Sequence, residues 1–444
     1  MDKIKSVSGF PEWLPDQQLA EQYFINLMRE RFDLFGFSPM ETRAVEPLDY
    51  LLKKGETDKE IYVLRRLQAT ESEENLQLGL HYDLTVPFAR YIAQNRGRLV
   101  FPVRRYQIQK VWRGERPQEG RYREFYQADI DVIAEGSLDI YFDAEVILAM
   151  NEVVSALPMP PLKITINNRK ILEGFYTGLG IQDIHAVLRT VDKLDKIGEN
   201  KVAAALRDDV DLDPISIESC LALARIKGSD AGVIDQVLEL GVKNDILMQG
   251  LNELRAVMEL MAPLPPGTVE AGLRIARGFD YYTGTVYEAQ MTGHEDLGAV
   301  CSGGRYDNLA SVGPTVKLPG VGVSMGITRI LGRLFSANLL RSSRRTPSCV
   351  LVALTSDETR GESHVIAMAL RARGIPCEVH ATPAKYGKQI RYADQKGIPF
   401  VWFPRPEGSA IDEVRDIRTA TQTPADRENW NPPPDDLHVK VFLA

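Results

Sequence analysis

Cysteine is scarce in this chain: four residues in 444, at Cys220, Cys301, Cys349 and Cys377. No two of them form a CxxC pair, so neither a zinc site nor a disulfide framework is supported, and all four read as buried or half-buried free thiols. No apolar run approaches the ~20 residues that span a bilayer. The opening stretch MDKIKSVSGFPEWLP lacks the apolar core of a signal peptide, so a cytoplasmic protein with no membrane partner is expected. An excess of positive charge is missing too. The formal net charge is −8, which argues against binding nucleic acid by bulk basicity and leaves room for a local basic surface. There is no internal repeat, no low-complexity tract, no Walker spacing and no dinucleotide fingerprint.

What is present is long enough for two or three domains. Leu19, Tyr23 and Leu27 recur at helical spacing, and Gly36 is the expected stop. Strands and turns then dominate to about Ile133, a helix is expected over Leu138–Leu157, and Lys163–Asn167 reads as a short strand. From about Ile171 to Met261 apolar residues recur at helical spacing with few strand-like runs, which predicts an all-helical insertion. Strand patterns resume at LRIARGFDYYTGTVYEAQM. After LLRSSRRTPS, a basic and turn-rich linker, CVLVAL, IPCEVHA and IPFVWFP alternate with two helical stretches, the first ending at Gly374. That order predicts a small domain with parallel pairings and right-handed crossovers.

The stretch KVWRGERPQEGRYREFYQADIDV, from Lys110 to Val132, stands out. Leading into it Tyr106, Ile108 and Trp112 alternate with Gln107, Gln109 and Arg113, with Lys110 and Val111 breaking the rule, and at its end Tyr126, Ala128, Ile130 and Val132 alternate with Gln127, Asp129 and Asp131. Gly114 and Gly120 bracket the charged connection. This is a long antiparallel hairpin with one greasy face, one polar face and a charged tip. A guanidinium, a carboxamide and carboxylates on one face suit a ligand with both negative charge and donor groups, because a planar guanidinium forms paired bonds to phosphate or carboxylate. A solvated hairpin whose charges pair with one another is the plainer account of the tip, where both signs interleave. Two further segments add to the polar set. RGFDYYTGTVYE puts Asp280 and Tyr282 on one face of an expected strand and Tyr281 on the other, and GLHYDLTVPFARY puts Asp83 and Thr85 on one face before a Pro-ended turn. LPGVGVSMGITRIL reads as a glycine-punctuated strand running into a helix that carries Arg329.

In this order HYDLTVPFARY, QIQKVWRGERPQEGRYREFYQADIDV, RGFDYYTGTVYE, CSGGRYDNL, GVGVSMGITRI and AKYGKQIRYADQKGIPFV closely resemble histidyl-tRNA synthetases, over almost the whole chain. The resemblance implies an α+β fold. Residues 1–340 would be an antiparallel-sheet class II synthetase catalytic domain, with the helical insertion at about 171–262, then a linker at 341–347 and a C-terminal α/β anticodon-binding domain at 348–444. It implies a homodimer that forms histidyl-adenylate from L-histidine and ATP with Mg2+, and passes histidine to the terminal adenosine of its tRNA.

Roles are implied position by position. Arg113 and Arg277 match arginines at the α-phosphate and the amino-acid carboxylate. Glu115, Arg121 and Phe125 match the ATP side, with Phe125 stacked on adenine, and Arg329 matches the other adenine face or the phosphate tail. Asp83, Thr85 and Gln127 match the histidine amino end, with Leu84 between them also matching a histidine-binding position; Asp131, Tyr281 and Tyr282 match the imidazole pocket. Metal ligands are not implied. The chain departs from the family at His81, where arginine is common, at Arg43, where motif 1 commonly has proline, and at Thr328, where glutamate more often precedes the arginine. Arg341, Arg344 and Arg345, with Lys385, Lys388, Arg391 and Lys396 on one expected helix, are candidates for tRNA contact. A relative with the same catalytic body, the non-catalytic regulatory subunit of ATP phosphoribosyltransferase, is the alternative.

Overall fold

The computed structural model describes residues 5–52, 60–68, 77–275, 281–311, 315–405 and 411–444. The chain divides into two compact units, one of Met1–Pro11 with Ile25–Arg333 and one of Glu12–Phe24 with Leu334–Ala444. The first expected helix is Pro15–Leu34, followed by Gly36 with a positive φ of 72°.

Among the described residues the first unit is built on a nine-stranded sheet. In chain order its strands are β1 (Ser38–Pro39), β2 (Val103–Trp112), β3 (Glu124–Ile133), β4 (Leu162–Asn168), β5 (Lys227–Gly228), β6 (Val269–Gly272), β7 (Thr285–Met291), β8 (Ala299–Tyr306) and β9 (Gly320–Gly326). Across the sheet they run β1-β2-β3-β9-β8-β7-β4-β6-β5. The six central strands, β2 to β4 in that order, are antiparallel throughout.

Strand parity decides what each face carries. On one face Ala128, Ile130 and Val132 of β3 and Val321, Val323 and Met325 of β9 are buried, and helix Tyr141–Ala156 packs behind them. Arg305 of β8 lies on that side. Its guanidinium reaches Asp143 of the helix at 2.5 Å and also donates to the carbonyls of Leu138 and Asp139 at 3.1 Å. On the other face Val286, Gly304, Gly322, Asp131 and Arg105 are successive cross-strand partners from β7 to β2. The next row runs Glu288, Ser302, Ser324, Asp129 and Gln107. The hairpin expected from the alternation is therefore present, and its register puts Arg105 opposite Asp131.

Three local expectations change. Asp83 and Thr85 do not share a strand: Thr85 opens helix Thr85–Asn95, and Pro87 sits in its first turn, where a missing N–H costs nothing. Tyr281 and Tyr282 precede β7 rather than lie in it. The pairing with β8 runs one bond further, Thr283 N–H to the Arg305 carbonyl at 2.8 Å, while the two tyrosine rings pack edge to face at 4.8 Å. The segment expected to be all helix contributes β5 to the sheet edge, and its helices Arg169–Gly178 and Asp245–Met261 pack on β4.

In the second unit Val350–Val352, Cys377–Val379 and Phe400–Phe403 pair in parallel, as the strand–helix rhythm predicts. Glu413–Asp416 and Gln422–Pro424 extend that sheet antiparallel. Val350, Val352, Phe400 and Trp402 join one core with Ile366 and Leu370 of helix Arg360–Ala372. The alternate residues Leu351, Val401 and Phe403 join another with Ala393 of helix Tyr386–Lys396. Each face of the sheet thus has its own helix and its own core. The stretch expected as a linker is built into this unit. Leu340–Ser342 pairs with Val441–Leu443, and buried Arg344 donates to the carbonyls of Asp436 and Leu437 at 2.7 and 3.0 Å.

Breaking the buried Arg305–Asp143 pair leaves an uncompensated carboxylate. Arg305→Met is expected to lower unfolding free energy by roughly 3–5 kcal/mol, read by urea denaturation; a loss under about 1 kcal/mol would mean that the pair is dispensable.

Candidate active site

The polar face of the hairpin is where chemistry-bearing side chains gather. Arg105 is fully buried, and its Nη2 lies 2.7 Å from Asp131 Oδ2. The same guanidinium donates to Gln107 Oε1 at 2.8 Å and to the Leu84 carbonyl at 3.0 Å, and stacks 4.3 Å from the centre of the Phe88 ring. Tyr306 Oη donates to Asp131 Oδ1 at 2.7 Å. Asp131 is thus held from β2 and from β8 at once. The space for this comes from glycine. A Cβ on Gly322 would collide with the Asp131 carboxylate, and one on Gly304 would stand 2.9 Å from the Tyr282 ring.

Asp83, Tyr281 and Tyr282 lie beside this pair, and the remaining residues singled out from the sequence are held along the hairpin, at the start of helix Thr85–Asn95 and on the helix after β9. Tyr281 meets Tyr282 at 4.8 Å and Tyr306 at 6.1 Å, both edge to face. Asp83 accepts from the Val86 N–H at 3.1 Å at the start of the helix, and its charge is felt by Tyr281 and Tyr282. Arg113 ends the strand side of the site. Its Nε donates to the Tyr82 carbonyl at 3.0 Å and its guanidinium lies 5.3 Å from the Phe125 ring centre. Glu115 bridges to Arg121 at 3.3 Å and approaches Arg113 at 3.9 Å. Arg329, on helix Ile327–Ser336, donates to the Leu297 carbonyl and lies beside Gly120 of the same hairpin connection and Gly298. Gln127 is buried on the strand of Asp129 and Asp131. Thr85 is half-buried at the helix start, and Leu84 contributes its carbonyl rather than its buried side chain. Arg277 and Asp280 lie outside the described residues.

The charges strain against burial. Desolvation pushes the Asp83 carboxyl up to about 6 despite the Val86 N–H and nearby Arg113. It pushes Asp129 up to about 7, with Arg105 and the Ser324 hydroxyl pulling the other way and Asp131 adding to the rise. Asp131 is raised as well, by burial, against the pull of Arg105 and Tyr306. Among the described residues Asp83 Oδ2 and Gln127 Oε1 are buried without a hydrogen-bond partner. Three carboxyls, two guanidiniums and two unused acceptors gathered on one face of the sheet suit a small ligand with an ammonium, a carboxylate and a donor-bearing ring.

Several contributors escape a reading of the sequence. Arg105 obeys the same parity as Gln107 and Gln109, and extending that parity two residues would have found it. Tyr306 and Ser324 carried no signal, because only the sheet order brings β8 and β9 beside β3. His81 has a structural explanation. Its Nε2 donates to the Lys110 carbonyl at 2.7 Å, its ring lies 5.5 Å from Trp112, and burial pushes its pKa down. Arg43 pairs at 2.9 Å with Glu46, which also takes Arg90 at 2.7 Å. Thr328 accepts from the Tyr126 N–H at 2.8 Å, fixing helix Ile327–Ser336 to the hairpin.

A mainly antiparallel sheet with a long two-stranded arm, and a glycine-rich strand feeding an arginine-bearing helix, define the catalytic body of a class II aminoacyl-tRNA synthetase. The family model described as histidyl-tRNA synthetase matches residues 9–330, and one described as anticodon binding domain matches residues 348–403. A histidine–tRNA ligase of Cutibacterium acnes is 52% identical, covering 100% of this chain and 99% of that protein. One of Micrococcus luteus is 50% identical, covering 100% of both chains. The solved histidyl-tRNA synthetase of Nostoc sp. PCC 7120 superposes with a TM-score of 0.84 at 33% identity, covering 96% of this chain and 97% of that one. The chain belongs to the histidyl-tRNA synthetase family.

Asp129 makes a pH-dependent contribution whose sign follows from its raised pKa. Below about pH 4 it is protonated folded and unfolded alike; as pH rises towards 7 the unfolded chain releases the proton first, so stability falls. Asp129→Asn is expected to be more stable than the native protein at pH near 7.5 by roughly 1–3 kcal/mol, with the gain shrinking towards about pH 5. Denaturant titrations at the two pH values read it, and a gain independent of pH would contradict the burial argument.

Proposed function

We infer that this chain is a histidine–tRNA ligase: it activates L-histidine with ATP, releasing pyrophosphate, and transfers histidine to the 3′-terminal adenosine of its tRNA. The observation that carries this reading is Asp131 fixed between Arg105 and Tyr306, with Asp83 and the two tyrosines in the same cluster and Arg113 acting on Asp83. In the proposed pose Asp131 and Tyr282, with Tyr281 beside it, read the imidazole. Asp83, Thr85 and Gln127 take the ammonium, and Arg113 faces the carboxylate and the α-phosphate.

Attack of a carboxylate on the α-phosphate brings two anions together, and negative charge grows on the phosphoryl oxygens. Arg113, with Arg277 as its proposed partner, lowers that barrier electrostatically. No side-chain nucleophile is required. Arg113 over Phe125, with Glu115, Arg121 and Arg329 about the hairpin connection, forms the proposed nucleotide side. Magnesium is expected with ATP. The ion would come with the nucleotide and offset the charge of its phosphates.

The anticodon-binding match, together with exposed Lys385, Lys388 and Arg391 on or beside helix Tyr386–Lys396 and exposed Arg341 and Arg345, supports a tRNA-contacting role for the second unit. Arg344 and Lys396 drop out of that set. The first is buried and spent on carbonyls, and the second is tied to Glu378 at 3.1 Å. A cytoplasmic homodimer completes the proposal. The domain arrangement we propose remains a catalytic body followed by an anticodon-binding domain. The match over residues 348–403 weighs against a regulatory subunit without ligase activity.

Histidine alone among amino acids is expected to drive exchange of pyrophosphate into ATP; exchange with another amino acid, or none, overturns the reading. Arg113→Lys is expected to slow that exchange by about 100-fold or more. Tyr282→Phe is expected to raise KM for histidine more than KM for ATP, and equal rises would remove Tyr282 from the ring pocket.

A further inference from the structure

We propose that Arg105 is a positioning residue that makes this site select neutral imidazole over imidazolium, by giving Asp131 its counter-charge from inside the fold. The inference rests on the reading of Asp131 as the ring contact and deepens it.

Arg105 cannot swing away. It has no exposed surface, and its guanidinium is held by Asp131 Oδ2, Gln107 Oε1, the Leu84 carbonyl and the Phe88 ring. Gln107 is itself fixed, donating to Thr42 Oγ1 at 3.1 Å and Gln109 Oε1 at 2.6 Å. Among the described residues the titratable and charged groups around Asp131 are few. β2 offers Arg105, β3 itself offers Asp129, β8 offers Tyr306, and the turn before helix Thr85–Asn95 offers Asp83. The segment ahead of β7 offers Tyr281 and Tyr282, and Arg113 acts on Asp83 from the strand end. β9 faces Asp131 with Gly322, which has no side chain.

A carboxylate in a guanidinium pair keeps lone pairs free, so it still accepts an N–H. The pair as a whole is neutral. An imidazolium arriving there would lose its hydration and meet Arg105, and Asp129, lifted to about 7, is largely protonated at the pH where imidazolium forms and adds little negative charge to attract it. A neutral ring loses far less. The substrate ammonium is left for Asp83 and Gln127, so one cation is accepted and a second is refused.

The test compares histidine with triazolylalanine, whose ring stays neutral, in amino-acid-dependent pyrophosphate exchange from about pH 5.5 to about pH 8. Titration of Asp83 and Asp129 acts alike on the ammonium and carboxylate that both substrates share, and each variant is compared with the native protein over the same range, so a change in the KM ratio between proteins reports the ring. In the native protein this ratio is expected to rise about tenfold between about pH 7.5 and about pH 5.5, following free imidazole. In Arg105→Met the rise is expected to fall below about threefold while KM for ATP stays within about threefold of native, and Arg105→Lys is expected to restore the rise. Arg105→Gln keeps hydrogen bonds to Asp131 and Leu84 without the charge, and it carries the same expectation where Arg105→Met does not fold. A ratio that climbs as steeply in either folded variant as in the native protein overturns the proposal. Nitrogen-labelled histidine bound to the native protein gives an independent reading: its ring shifts should remain those of neutral imidazole down to about pH 5.5, and imidazolium shifts in the complex overturn the proposal. Asp131→Asn separates the two levels. If it leaves KM for histidine within about twofold of native, the reading of the pocket fails; if it raises KM while the Arg105 variants keep the native profile, only the role of Arg105 fails.

Discussion

Everything in the candidate site depends on the register between β2 and β3. Because Arg105 stands directly across from Asp131, and Gln107 across from Asp129, the hairpin brings its charges into pairs on one face. A slip of one residue would send Arg105 to the hydrophobic side and put Tyr106 in its place. The register is fixed by what lies behind the sheet. Ala128, Ile130 and Val132 are buried against helix Tyr141–Ala156, so their strand cannot shift without exposing them. The apolar core thus sets the geometry of the polar face without touching it.

The glycines extend the same constraint. Gly304 and Gly322 precede the Asp131–Arg105 pair in one cross-strand row, and a side chain on either would press on Tyr282 or on the Asp131 carboxylate. Burial of three aspartates so close together is costly, and in two of them it lifts the carboxyl pKa to about 6 and about 7. A fold keeps such a costly cluster when a ligand completes it. On the proposed reading the substrate ammonium completes Asp83, while Arg105 already completes Asp131. Positive charge is thereby divided between the protein and its substrate.

The second unit is simpler. Its sheet follows from alternating apolar runs and helices, and the two faces separate by parity into two cores. The strands Glu413–Asp416 and Gln422–Pro424 escape the sequence pattern because they are short and mostly polar: the first buries only Val414, and the second is the exposed edge, where little apolar periodicity is needed. The basic stretch before it misleads for a different reason. Arg344 looks like a surface charge, yet its guanidinium caps two carbonyls inside the unit, and charge alone does not distinguish a buried donor from a solvated one.

By itself the sequence determined the hairpin and the face on which Gln127, Asp129 and Asp131 lie, the glycine-rich strand leading to the helix of Arg329, and the strand–helix rhythm of the second unit. Those are properties of period and of residue type, which are local. Tertiary structure alone decided that Tyr306 and Ser324 stand beside Asp131 and Asp129, that Tyr281 and Tyr282 leave the strand to pack on that cluster, and that Arg105 is the internal partner of Asp131. These depend on which strand neighbours which, and sheet order is settled by burial summed over the whole layer rather than by any one segment.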